Sequence, residues 1–294
     1  MARHNVIFGR DKELQQSPFA QQAAYGQAGP QTWQPYQAPG TQAPQDDLES
    51  IYARPAATGH DTGRMTMKDA LNAITATLGV VMVVGAFFTL LPPALGIITG
   101  TEAGAQIGLG ISGIALAIGL IGGLVLGLVN AFKKQPSPVL VLLYAVFEGM
   151  LLGGLSSMLE FQYPGIALQA VLATLAVAGT VLVFFRLGVL RTSPRLTKIF
   201  MIAMVAYMIF GVVNIGFMIF AGYSLRSGLV GMVIGAIAVC MASYSLVMDF
   251  EDVQRAVGNV QRRYAWRCAF GIAATLVWMY LEILRLIAIL RGSD

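Results

Sequence analysis

Seven long runs of apolar residues, separated by short polar stretches, dominate the chain after residue 65. They cover residues 70–92, 106–131, 138–159, 166–190, 198–222, 227–249 and 267–290. Each run is long enough, at 1.5 Å per helical residue, to cross about 30 Å of hydrocarbon. Prolines stand between several runs, at positions 92–93, 136, 138, 164 and 194, where we expect the chain to reverse. The pattern predicts an all-α membrane protein with seven transmembrane helices.

The first 65 residues have a different character, rich in Gln, Pro, Ala and Gly and without a long apolar run. Such a composition buries too little apolar surface to offset the entropy of ordering the chain. We therefore predict a disordered cytoplasmic tail over residues 1–65 and a seven-helix transmembrane domain over residues 66–294. The tail has no apolar segment of the signal-peptide type, so we expect the first helix to direct insertion. Thr66 and Asp69 have the spacing of a capping box, which predicts the start of that helix.

Composition agrees with a membrane protein. Hydrophobic residues make up 56% of the chain and charged residues 12%, with a mean hydropathy of +0.68, whereas soluble domains have about 25% charged residues. The net charge of +4 does not indicate nucleic-acid binding, because most Lys and Arg lie in connections between the runs. Cys240 and Cys268 both lie inside apolar runs and are expected to be small buried side chains.

The distribution of basic residues predicts the orientation. Alternate connections are rich in Lys and Arg, and those between them have at most Arg226. The basic groups are Arg54, Arg64 and Lys68; Lys133 and Lys134; Arg191, Arg195 and Lys198; and Arg255, Arg262, Arg263 and Arg267. By the positive-inside rule the N-terminus is cytoplasmic and, after seven spans, the C-terminus is outside. We expect the sixth helix to continue past Asp249 into the charged stretch that follows it.

Pairs of glycines four residues apart indicate where helices approach closely. They are Gly119, Gly123 and Gly127 in the second run, Gly149 and Gly153 in the third, and Gly231 and Gly235 in the sixth. Small residues at this spacing allow backbones to pack against one another in membranes. With seven helices to assemble, we expect these contacts within the bundle, and we expect a monomer or a weak homo-oligomer.

Acidic residues within the runs are the strongest functional signal, because a charge in lipid is costly. Glu148 lies well inside the third run, Glu282 lies past the middle of the seventh, and Asp249 closes the sixth. The alternative interpretations are an interfacial acid for Asp249 and a structural hydrogen bond or ion pair for the two glutamates. Arg285 lies one turn after Glu282 and is its expected partner.

Carboxylates inside a helix bundle support two kinds of chemistry. Their oxygens are the ligands that calcium and similar cations prefer, and two that share a site take up protons at separate pH values. An enzyme is not expected. The only histidines, His4 and His60, are in the tail, so no zinc-protease site and no histidine base can form in the runs, and no nucleotide-binding glycine pattern occurs. No cofactor is predicted, and calcium is considered only as a transported ion.

Three segments together resemble the Bax-inhibitor family, which comprises the transmembrane Bax-inhibitor-motif proteins and their bacterial YccA-like relatives. They begin at Tyr144 (YAVFEGMLLG), at Ser245 (SLVMDFED) and at Tyr280 (YLEILRL). The resemblance covers residues 66–291 and is closest to the bacterial branch. It implies six helices around a central seventh and an integral protein of the bacterial cell membrane.

The same resemblance implies a pH-sensitive calcium leak controlled by paired acids on the sixth and seventh helices. Asp249 and Glu282 match those acids, which makes them candidate ligands of the cation, and Lys133 and Lys134 match the basic latch at the end of the second helix. The chain departs from the family pattern in having Glu in place of the usual Asp at 282, and in a longer stretch between the two acids.

Two functional hypotheses follow. The first is a cation leak, for calcium in the first instance, gated by protonation of Asp249, Glu282 and Glu148. The second is a non-conducting regulatory protein that binds other membrane proteins, such as a membrane protease. In the second hypothesis the tail and the glycine-rich faces matter more than the acids. The expected partners are the lipid bilayer and a cation, with no nucleic acid, and the partner of the tail is left open.

Overall fold

A computed structural model describes residues 63–292 and contains seven helices long and apolar enough to cross a membrane. They are α1 (Met67–Thr99), α2 (Glu102–Phe132), α3 (Pro138–Gln162), α4 (Ile166–Arg186), α5 (Pro194–Ala221), α6 (Gly228–Ala256) and α7 (Ala265–Gly292). A short 3-10 turn, Arg262–Tyr264, precedes α7. No strand forms within residues 63–292. The seven predicted helices are confirmed, and α6 continues past Asp249 to Ala256 as expected.

The predicted turn at Pro92 and Pro93 is wrong, because α1 continues through both prolines to Thr99. A proline in a helix lacks the N–H that would bond the carbonyl four residues earlier, which for Pro92 is the carbonyl of Phe88. The hydroxyl of Ser112 on α2 donates to that carbonyl at 2.8 Å. A neighbouring helix thus supplies the missing donor, as is common for prolines within membranes.

The start of α1 is built as the capping box predicts. Asp69 N–H donates to Thr66 Oγ1 at 3.2 Å, and Thr66 N–H donates to Asp69 Oδ2 at 3.1 Å. The residues just before it also belong to the fold: Met65 is fully buried and exchanges backbone hydrogen bonds with Val260 and Gly258. The folded domain therefore begins before the predicted boundary at 66. The rest of the predicted tail, residues 1–62, lies outside the described residues.

The glycine pairs pack inside the bundle, as predicted. A Cβ on Gly119 would lie 2.4 Å from the backbone nitrogen of Leu151, and one on Gly153 would lie 2.5 Å from the carbonyl oxygen of Gly85. A Cβ on Gly235 of α6 would lie 2.7 Å from the Leu286 side chain of α7. Larger residues would push these helices apart, so the glycines set the spacing between helix pairs.

The seventh helix is the most buried of the seven. Half of its most apolar stretch (50%) is buried, against 11% for α5, and it packs against α1, α3, α4 and α6. The helix α2 packs mainly against α1 and α3. The helix α5 is thinly packed, with only Phe200 and Asn214 buried, and it reaches α7 through Tyr207. The central position expected for the seventh helix is confirmed.

Candidate functional site

A stripe of chemically distinctive residues runs along one face of α7. Its members are spaced three or four residues apart, which confines them to an arc of about 100° on a helix with 3.6 residues per turn. They are Cys268, Gly271, Thr275, Trp278, Glu282 and Arg285. Most other positions of α7 that contact neighbouring helices are apolar. The stripe begins in the first turns of α7, which lie beside Asp249, and ends at Glu282 and Arg285.

Asp249 of α6 lies beside the first turns of α7, where a residue of the stripe binds its carboxylate. The hydroxyl of Thr275 donates to Asp249 Oδ2 at 2.6 Å, and the hydroxyls of Thr275 and Ser245 lie 3.2 Å apart. A Cβ on Gly271 would lie 3.0 Å from Asp249 Oδ1, so a larger residue at 271 would crowd the carboxylate. This carboxylate is half-buried and retains oxygen lone pairs that no described residue occupies.

A cavity of about 270 Å³ opens beside Asp249. It lies among the end of α2, the end of α6 and the start of α7, and its lining residues are Asn130, Ala131, Asp249, Asp252, Tyr264, Arg267, Cys268, Phe270 and Gly271. Such a volume has room for several water molecules, each of which takes about 30 Å³ in the liquid. The two carboxylates and one guanidinium make it a polar, mixed-charge vestibule.

Glu282 lies at the centre of a buried ion cluster. Its side chain is 2% exposed, and Oε2 accepts from Arg226 Nη2 at 2.9 Å and from Arg285 Nη1 at 3.1 Å. The hydroxyl of Tyr207 on α5 donates to Oε1. Arg226 also donates to the Tyr207 hydroxyl at 2.7 Å, and its guanidinium carbon lies 5.1 Å from the centre of the tyrosine ring. The expected pairing of Glu282 with Arg285 is present in the structure.

Arg226 reaches this cluster because the connection between α5 and α6 folds inward. Asn214 Oδ1 accepts from the backbone N–H of Leu225 at 2.8 Å and from the Ser224 hydroxyl at 3.1 Å. Asn214 lies about two turns before the end of α5 at Ala221, so the connection is drawn about 10 Å back along the helix. A Cβ on Gly231 would lie 2.2 Å from the Arg226 carbonyl oxygen, so only glycine allows this approach.

Arg226 and Tyr207 were not predicted from the sequence. Arg226 counted only as the single basic residue of an outer connection, and Tyr207 is one aromatic residue among many in an apolar run. Two features of the sequence could have drawn attention to Arg226: it is the only charged residue in its connection, and Asn214 is a polar residue inside the preceding apolar run. An amide and a lone cation near the same helix end indicate a connection that folds back, but they do not identify its partner.

Asp249 and Glu282 form two separate sites and share no hydrogen-bonding partner among the described residues. Thr275, which binds Asp249, lies seven residues before Glu282, or about 10 Å along α7. Trp278 stands between them, with its ring centre 5.6 Å from that of Tyr207. The pair implied by the family resemblance is therefore split by one aromatic layer, in agreement with the longer stretch between the two acids.

The other candidate residues lie outside both sites. Glu148 is buried at the α2–α3 interface, where a Cβ on Gly123 would lie 3.0 Å from its Oε1. Lys133 and Lys134 are exposed just past the end of α2, and within residues 63–292 neither forms an ion pair. The end of α2 does approach Asp249, but it presents Asn130 to the vestibule rather than a lysine.

The described residues contain no group of three or more His, Cys, Asp or Glu side chains placed to hold a metal ion. Asp249 and Glu282 do not converge on one point, so they do not form the shared ligand pair that was considered for calcium. Asp249 faces the vestibule, whereas both oxygens of Glu282 are occupied by Arg226, Arg285 and Tyr207. Within residues 63–292 the two acids therefore belong to different surroundings, one facing a cavity and the other enclosed by its partners.

The fold and these sites define an integral membrane protein with seven helices, the last of which carries a polar stripe. A family model described as Bax inhibitor 1 like matches residues 9–292, which is nearly the whole chain. The chain belongs to this family. Searches of curated proteins and of solved structures found no match.

Proposed function

We propose that the protein is a pH-sensitive cation leak and not an enzyme. The cation that we propose is calcium. The observation that carries the proposal is the stripe on α7, which joins a polar vestibule at Asp249 to the ion cluster at Glu282. Ionisable residues inside a membrane bundle are costly to bury, and ion pathways and proton relays are among the functions that they mark. The vestibule has two carboxylates against the single guanidinium of Arg267, and this excess of negative charge favours cations at one end of the route.

The cluster at Glu282 keeps the route closed in this proposal. Arg226 and Tyr207 both hold Glu282, and they belong to the inward connection and to the thinly packed helix α5. Protonation of Glu282 removes the one negative charge that Arg226 and Arg285 share. Breaking a buried pair in this way costs about 3–5 kcal/mol, because the remaining charge is left uncompensated. We expect Arg226 and the α5–α6 connection to move away from Glu282, and α5 to separate from Trp278. The leak then increases as the pH falls.

The orientation is part of the proposal. The basic connections between α2 and α3, α4 and α5, and α6 and α7 lie on the side where α1 begins, so the positive-inside rule makes that side cytoplasmic. The vestibule then opens toward the cytoplasm, and the Arg226 connection lies toward the outside. We propose the bacterial cell membrane as the location, on the resemblance to the bacterial branch.

The second candidate function is a non-conducting regulator that binds other membrane proteins. It is favoured by α5, because most of its apolar side chains are exposed and it contacts the rest of the bundle at few points. A helix of this kind is available to pack against a partner helix. Deletion of residues 1–62 separates the hypotheses, since a regulator that uses its tail loses function whereas a leak formed by α5, α6 and α7 does not.

Calcium flux into liposomes across a pH series tests the proposal. The purified full chain is reconstituted, and the wild type is compared with the double variant Asp249→Asn, Glu282→Gln. Glu102→Gln is the matched control, because Glu102 is an exposed acid at the start of α2. We expect the double variant to change both the flux and its pH dependence and the control to change neither. A double variant with unaltered flux and pH profile contradicts the proposal.

A further inference from the structure

Four basic side chains cluster around the connection between α4 and α5. Arg186 ends α4, Arg191 lies in the connection, and Arg195 and Lys198 lie in the first turns of α5. All four are exposed, and none forms an ion pair within residues 63–292. We call these four residues the α4–α5 basic surface. Its charge is +4 over thirteen residues of chain, counted from 186 to 198.

Nothing in the surrounding sequence neutralises this charge. From Phe161 to Met248 the chain contains no Asp or Glu. The one acid that touches the connection is Glu251, whose carboxylate accepts from the backbone N–H of Thr192 at 2.7 Å and also binds Arg255. Glu251 is therefore already neutralised by a different cation.

Two other cations on the same side of the bundle are neutralised internally. Arg255 pairs with Glu251 and Asp252, and Arg262 pairs with Asp69 at 2.7 Å. The α4–α5 basic surface differs from them in having four charges and no acidic partner. The difference indicates that its counter-charge comes from outside the chain.

Exposed apolar side chains stand among these cations. They are Leu187 (69% exposed), Val189 (69%), Leu196 (51%) and Ile199 (62%). A surface that alternates guanidinium groups with aliphatic side chains is typical of segments at the boundary between headgroups and acyl chains. The aliphatic groups enter the hydrocarbon, while the long stems of Arg and Lys carry their charges to the headgroup level.

The connection holds these side chains in a defined arrangement. Gly188 has a φ of +75°, and the carbonyl of Phe184 accepts from the backbone N–H of Val189 at 3.0 Å. Ser193 caps α5, its Oγ accepting from the backbone N–H of Leu196 at 3.2 Å. Thr192 fastens the middle of the connection to Glu251 on α6. The N-terminus of α5 lies at this connection, and the positive end of its helix dipole also favours an anion there.

We propose that the α4–α5 basic surface binds anionic phospholipid headgroups of the surrounding bilayer. Each guanidinium can bind a phosphate through two parallel hydrogen bonds, and a basic residue at a membrane surface strengthens the attraction to anionic lipid by about fivefold. Four such residues beside apolar anchors form a surface for the headgroup and the first methylene groups of the same lipid. This inference does not depend on ion conduction.

Native mass spectrometry of the full chain in detergent tests the proposal. The probes are phosphatidylglycerol and phosphatidylcholine with identical acyl chains. The variant Arg191→Gln, Arg195→Gln removes two charges from the surface, and Lys133→Gln, Lys134→Gln removes two from the α2–α3 connection as a matched control. A third variant, Arg191→Lys, Arg195→Lys, conserves the charge.

We expect the wild type to prefer phosphatidylglycerol, and the Gln pair at 191 and 195 to weaken its binding by about 25-fold at fivefold per charge. The lysine-to-glutamine control should weaken it by less than about fivefold, and the charge-conserving pair should stay close to the wild type. Equal losses in the two Gln pairs, or no preference in the wild type, overturn the proposal. Competition by soluble glycerol 1-phosphate at the concentration effective for the lipid also overturns it, because a lipid site requires the acyl chain. Size-exclusion profiles identify any variant that is not folded. If the Gln pair at 191 and 195 does not fold, the single variant Arg195→Gln replaces it, with an expected loss of about fivefold.

Discussion

Arg226 and Glu282 are 56 residues apart in the chain, yet Arg226 Nη2 lies 2.9 Å from Glu282 Oε2 in a buried ion pair. The pair joins the connection between α5 and α6 to the middle of the central helix. Its members are 10% and 2% exposed, so neither charge is well solvated if the other is removed. The proposed gating depends on this one relationship.

Replacing Arg226 should open the leak without any change of pH. In Arg226→Gln the connection loses its charge contact with Glu282 and Tyr207, and we expect calcium flux at neutral pH to rise severalfold. Arg226→Lys keeps the charge but loses the guanidinium whose Nη2 donates to both Tyr207 and Glu282, so it should give an intermediate flux. Flux measured in liposomes at pH 7 checks this order, and a Gln variant with less flux than the wild type contradicts it.

Trp278 separates the vestibule from the Glu282 cluster, and its side chain should set the width of the route. In Trp278→Ala the contact with the Tyr207 ring disappears, so we expect flux to increase at every pH tested. Trp278→Phe preserves an aromatic layer and serves as the control, with a profile near that of the wild type. The same liposome assay decides, and equal flux in the two variants would remove Trp278 from the route.

Asp249 should influence the amount of flux more than its pH dependence. Asp249→Asn removes a negative charge from the vestibule but keeps a group of the same shape beside Thr275. We expect lower calcium flux at each pH, with the acid-induced rise still present, because Glu282 is unchanged. The experiment is a flux titration against calcium concentration, in which the half-saturating concentration should increase. An unchanged titration would show that Asp249 does not attract the ion.

Ser112 should contribute measurably to stability, because it bonds the carbonyl that Pro92 leaves without a donor. Ser112→Ala leaves that buried acceptor unpaired, which costs about 1–3 kcal/mol. The matched control is Thr180→Ala, which removes an exposed hydroxyl bonded only within its own helix and should cost about 0.5 kcal/mol or less. Thermal unfolding in detergent measures both, and equal shifts would show that the carbonyl needs no partner.

The helices could be predicted from the sequence because a membrane requires long apolar runs, and the three acids were visible because charges are rare within such runs. The partners of those acids were harder to predict. Arg285 lies one turn from Glu282, so helical spacing was sufficient, but Arg226 reaches the same carboxylate only because Asn214 draws its connection inward. That contact belongs to tertiary structure and has no periodic signal.

Pro92 and Pro93 show the same limitation in the fold. Prolines predict a turn from local chemistry, and the prediction was wrong because Ser112, on a different helix, bonds the carbonyl that Pro92 leaves free. The split between Asp249 and Glu282 is similar. Their separation along the chain indicated distance, but only the packing of Trp278 on Tyr207 shows what lies between them.

The most direct test of the central claim is the pH profile of calcium flux in Glu282→Gln. Glutamine imitates the protonated acid, so the account predicts a leak that is already high at neutral pH and no longer rises on acidification. Glu102→Gln should keep the wild-type profile, because it removes an exposed acid outside the cluster. A Glu282→Gln profile that still rises with acid as the wild type does would contradict gating by this residue.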